Sequence, residues 1–84
     1  MVAYKVWADQ NPLAVWRREH GNLPRSIIAV KVGVSYNMVG RWELGQATPS
    51  AGNMEVLADI MGVTPDNLQS EWESWLTEGQ AIKI

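Results

Sequence analysis

The chain has no cysteine, no phenylalanine and a single histidine, His20, among its 84 residues. Without thiols there is no disulfide and no thiolate metal site, and one imidazole alone cannot make a zinc centre. No glycine-rich phosphate loop and no paired-carboxylate arrangement takes the place of the missing nucleophiles. An enzyme, a metal site and a bound cofactor are therefore not expected, and His20 reads as a capping or half-buried residue at a helix end. No apolar run approaches the length of a membrane span and no charged-then-apolar leader is visible, so a soluble protein of the reducing cytoplasm is expected. Basic residues are also few. Seven Lys and Arg stand against nine Asp and Glu, a formal net charge of −2, which weakens long-range attraction to a polyanion.

Five tryptophans supply large apolar area to a chain with room for one small core. The charge is unevenly spread. Residues 1–42 carry six basic and two acidic side chains, whereas residues 43–84 carry one basic and seven acidic. The acidic half reads first as a solvated face and second as a site for a protein partner.

Punctuation divides the chain into helices. Asn11-Pro12 is a cap followed by proline at the first helical position, starting a helix that ends near His20 and Gly21, with Leu13, Trp16 and His20 on one side. A second helix begins near Pro24 and ends at Val32. A third spans about Tyr36 to Leu44 and stops at Gly45. Ser50 caps a fourth that runs through Met61 to Gly62, and Thr64-Pro65-Asp66 starts a fifth that reaches about Leu76.

Arg25 to Gly45, RSIIAVKVGVSYNMVGRWELG, carries the functional signal. Ile28, Val30, Val32 and Val34 alternate at period two, as in a strand, and by period alone this reading stands beside the helical one. The flanking caps and the Trp42-Glu43-Leu44-Gly45 ending favour helices. Ala29 is then small enough to let a second helix approach, Gly33 opens the turn in a left-handed conformation, and Val34 plugs the corner. Ser35 can accept a hydrogen bond from the N–H of Asn37 or Met38. Met38, Val39 and Trp42 face inward, leaving Tyr36, Asn37, Gly40, Arg41 and Leu44 outside. Two short helices joined by such a turn form a helix-turn-helix.

Leu13, Trp16-Arg17, Ala29, Gly33-Val34-Ser35, Val39, Trp42-Glu43-x-Gly45, Pro49-Ser50, Leu57-Ala58 and Gly62-Val63-Thr64 occur in an order that resembles the lambda-repressor and Cro-like (Xre) helix-turn-helix domains, over roughly Pro12 to Leu76. The resemblance implies an all-α, compact five-helix bundle in which the third helix reads DNA. It implies one domain over residues 1–84, with a core of 12–76 and terminal arms 1–10 and 77–84. It further implies that Arg17 and Glu43 form a structural ion pair and that Arg25, at the first motif position, contacts a DNA phosphate. Two departures weaken the expected backbone clamp. Pro24 stands where the family has a capping Ser or Thr, and Gln46-Ala47-Thr48 is neutral where it often has Lys or Arg.

Side-chain chemistry assigns the readers. Arg41 matches guanine O6 and N7, Asn37 matches adenine N6 and N7, Tyr36 fits a phosphate or a thymine methyl, and Gly40 allows close backbone approach. Arg25, Ser35, Lys31, Gln46 and Thr48 are the candidates for the DNA backbone. Tyr4, Val6 and Trp7 at one end and Ile82 and Ile84 at the other show short apolar alternations that fit terminal β-strands. Trp72, Trp75 and Leu76 exceed what one terminal helix needs, and the family dimerises near this end, so they are the expected homodimer interface. Two functions follow. One is a sequence-specific regulator, a repressor of the phage Cro-like, plasmid or antitoxin sort, binding a palindromic operator on double-stranded DNA as a dimer in the nucleoid. The other is a protein-interaction module that keeps the fold without strong DNA binding.

Overall fold

Asn11 sets the first sharp boundary, its Oδ1 accepting from the N–H groups of Leu13 at 2.9 Å and Ala14 at 3.0 Å. Equivalent caps recur at Ser35, Ser50 and Thr64, while Gly33 and Gly62 close helices in the left-handed region. The computed structural model describes the backbone of residues 2–83 and the side chains of residues 5–80. Its helices are α1 (Val2–Asp9), α2 (Pro12–Glu19), α3 (Arg25–Val32), α4 (Tyr36–Glu43), α5 (Ala51–Met61) and α6 (Pro65–Lys83).

The all-α class stands, but the described residues form six helices rather than five and contain no strand. Residues 2–9, expected as an arm with a strand, are helical, and α6 continues through the other expected arm to Lys83. Tyr4 and Ile82 lie within these helices, and Ile84 is outside the described residues. The reason is tertiary. Among the described side chains of α1, the adjacent Trp7 and Ala8 are buried while Val6 is 49% exposed, a pattern of burial that is not the period-two alternation of a strand.

Trp7 locks α1 onto α6. Its indole stacks on that of Trp75 with centroids 4.2 Å apart and planes 4° from parallel. Each indole Nε1 donates to the other residue's backbone carbonyl, both at 2.6 Å. The ring occupies a slot left by two glycines. A Cβ at Gly45 would lie 2.6 Å from the Trp7 ring, and one at Gly79 would overlap the indole outright. Around this lock the core gathers Leu13, Ile28, Val39, Leu57, Leu68 and Trp72, none with any accessible surface.

This packing corrects two expectations. Trp72 is 0% and Trp75 3% exposed, so neither is surplus surface for a dimer: α1, absent from the five-helix pattern, covers α6 from within the same chain. Leu76 remains half-buried. His20 does not share the buried side of Leu13 and Trp16. It is exposed and stacks on Trp16 at 4.2 Å, with Nδ1 2.8 Å from the Trp16 carbonyl.

Candidate nucleic-acid interface

The turn that presents α4 is made by three residues. Gly33 adopts φ 85°, and the N–H groups of Gly33 and Val34 both bond the Ala29 carbonyl, at 2.8 and 3.0 Å, closing α3. Ser35 then returns the chain to extended geometry, and its Oγ accepts from the Met38 N–H at 3.1 Å. Ala29, 5% exposed, occupies the helix crossing, and Val39 and Trp42 anchor α4 in the core.

With that face buried, helical geometry turns Tyr36, Asn37 and Arg41 outward. Tyr36 is 56% exposed, and all three line an open groove of about 360 Å³ together with Arg25, Gly40, Leu44 and Gln46. No carboxylate is among its described lining residues. The acidic side chains of residues 55–78 are all exposed on α5 and α6 instead.

Glu43, at the end of α4, is 1% exposed and binds two arginines. Arg17 donates Nε to Oε2 at 2.7 Å and Nη2 to Oε1 at 2.6 Å, a bidentate pair, and its Nη1 holds the Leu23 carbonyl at 2.8 Å. Arg25 donates Nε to Oε1 at 2.9 Å. One carboxylate therefore ties α2, the α2–α3 connection and the start of α3 to the end of α4. Sequence reasoning assigned only Arg17 to Glu43. The reach of Arg25 across α4 was missed, because it depends on the direction of a long side chain.

That reach corrects the assignment of Gly40. Gly40 is buried at the floor of the groove, with Arg25 Nη1 3.5 Å from where its Cβ would stand, so the arginine packs against the glycine and narrows the approach to its backbone. Arg25 itself keeps 30% of its side chain exposed at the groove border. Its Nη groups have no hydrogen-bond partner among the described residues.

The other expected backbone residues disperse. Lys31 is exposed in the last turn of α3, and Gln46 lies in the groove. Thr48 does not join them: it lines a separate cleft with Pro49, Met54, Trp72 and Leu76, because the loop after Gly45 turns back toward α5 and α6. Arg18 is held away, its Nη1 donating to the Asp9 carbonyl at the end of α1 at 2.6 Å. Pro24 precedes α3 with no side-chain cap. The Ile27 N–H bonds back to the Pro24 carbonyl at 3.2 Å, so the N–H groups of Arg25 and Ser26 are the ones at the start of α3 that face an anion.

A helix-turn-helix family profile matches residues 16–68, from α2 to the start of α6. The chain belongs to the Cro/C1-type helix-turn-helix family. No curated protein and no solved structure matches the chain significantly. Members of this family are DNA-binding regulators and the family is not one of enzymes. In this helix-turn-helix protein α3 and α4 are the motif helices, whereas α1 and most of α6 lie outside the matched segment. No described helix is long and apolar enough to cross a membrane.

Proposed function

We propose that this helix-turn-helix protein is a sequence-specific regulator that inserts α4 into the major groove of double-stranded DNA. The observation that carries the reading is the groove on α4, where Asn37 and Arg41 stand exposed beside Tyr36 without a lining carboxylate. Arg41 offers two parallel donors to guanine and Asn37 a donor and an acceptor to adenine. The free Nη edge of Arg25, the uncapped start of α3, the Ser35 hydroxyl and the Lys31 and Gln46 side chains hold the phosphates. Thr48 is left out of this set.

The chain acts as a dimer on a palindromic site with half-sites about 34 Å apart, since so few readers per subunit specify only a short half-site. Trp72 and Trp75 do not form its interface. Leu76, half-buried beside these two buried rings, keeps surface for that contact. Occupying its operator, such a domain represses by blocking access, and its work lies in the cytoplasm at the nucleoid.

Titration of a labelled random-sequence duplex, followed by anisotropy at several salt concentrations, tests the reading. The logarithm of the binding constant falls with log salt by about 0.9 per phosphate neutralised. Arg41→Ala relaxes base preference at one position per half-site, with a loss of about 1–3 kcal/mol on the selected sequence. Absence of binding to any duplex at low salt and saturating protein defeats the proposal.

A further inference from the structure

A second groove, of about 430 Å³, runs between α2, the end of α5 and α6, and shares no residue with the groove on α4. Val15, Trp16 and Met61 line it half-buried, and Val63 at its edge is 42% exposed. Glu19, Glu71 and Glu78 rim it, and none of its described lining residues is basic. All three carboxylates are exposed and none is in an ion pair among the described residues. His20 stacks on one face of Trp16, and the rest of the apolar strip stays open, with no ion pair to its rim among the described residues.

We infer that this groove docks a basic amphipathic segment of another protein, with an apolar side chain on Trp16 and Met61 and flanking Lys or Arg on the three glutamates. Charge complementarity selects the occupant. Nucleic acid is repelled by the rim. A second copy is a poor fit, because Arg25, Lys31 and Arg41 stand on α3 and α4, so that seating them here would give up the DNA face. An apolar strip bounded by carboxylates matches helix-in-groove recognition, in which apolar anchors give affinity and flanking charge sets orientation and partner choice. The charge match of the groove does not depend on DNA binding; only the preference for another protein over a second copy rests on the proposed DNA face, and sedimentation of the chain alone separates that case. Regulator and docking module are then two faces of one domain.

The probe is a fluorescein-labelled helical peptide of Lys, Leu and Ala with leucines at i, i+3, i+4 and i+7, titrated with the full chain. Control peptides replace every Leu by Ala or every Lys by Glu. Saturable binding is expected for the first peptide alone, with the Trp16 indole N–H signal shifting in NMR spectra. Glu71→Gln/Glu78→Gln weakens it about fivefold by removing two charge contacts. Glu55→Gln/Glu73→Gln, the same charge change at exposed positions outside the groove, leaves it within about twofold. Val63→Asp, checked for helicity by circular dichroism, removes an apolar contact and also weakens binding. Equal binding of the leucine-free peptide, equal effects of the two glutamine pairs, or shifts confined to α4 overturn the inference. So does a dimer of the chain alone that Val63→Asp dissociates in sedimentation, since the occupant is then a second copy.

Discussion

Glu43→Ala is the most severe single change expected outside the apolar core. It removes three charge-assisted hydrogen bonds at once and strands Arg17, whose side chain is only 17% exposed. Deleting one partner of a buried pair costs about 3–5 kcal/mol, because the remaining charge stays desolvated. Arg17 retains some water and the Leu23 carbonyl, and Arg25 is 30% exposed, so the lower end, about 3 kcal/mol, applies here. In a domain of this size that lowers the melting temperature by roughly 12–24 °C. Arg25→Ala, losing one bond at a more exposed site, costs about 1 kcal/mol. The assay is urea unfolding followed by tryptophan fluorescence on Arg17→Ala, Glu43→Ala and Arg17→Met/Glu43→Leu. The double variant is expected to be more stable than Glu43→Ala, because it removes the more deeply buried stranded charge, that of Arg17, and leaves only the 30% exposed Arg25 without its carboxylate. Losses below about 1 kcal/mol in both single variants, or strictly additive effects, refute the view that Glu43 fastens α4 through a desolvated pair.

Gly79→Ala and Gly52→Ala, both in helices, are expected to move stability in opposite directions. Gly52 has open space around it and gains about 0.5 kcal/mol from helix propensity, whereas Gly79→Ala pushes on the Trp7 ring and costs about 1–3 kcal/mol; thermal melts of the pair compare them. Trp72→Ala is expected to lose about 3–5 kcal/mol of folding stability without any change in oligomeric state by sedimentation, since its ring is spent within the monomer.

Legibility from sequence followed the range of the interaction. The starts of α2, α4, α5 and α6 were readable within a residue or two because Asn11, Ser35, Ser50 and Thr64 cap helices through bonds that span three residues at most. The orientation of α4 was readable too, as inward Val39 and Trp42 force Asn37 and Arg41 out. What escaped depends on distant partners. Trp7 and Trp75 meet across 68 positions, and without that contact Tyr4 and Val6 look like a strand and residues 77–84 like an arm beyond the last helix. Gly79 one turn beyond Trp75 was the available signal, since a missing side chain there leaves a slot for a large ring. Gly40 was misjudged because the side chain packed against it, that of Arg25, comes from another helix, and Thr48 because loop direction is not a local property.

The clasp between Trp7 and Trp75 also bears on how the chain reaches this state. Closing a loop of 68 residues costs roughly 4 kcal/mol of chain entropy, far more than the turns that join α2 through α5. The helices of the matched segment therefore assemble first from near neighbours, and α1 joins α6 late. Contacts formed after the folding barrier govern how fast the native state is lost rather than how fast it is gained. Loosening the clasp, as in Trp7→Leu, is therefore expected to shorten the lifetime of the folded domain more than it slows folding.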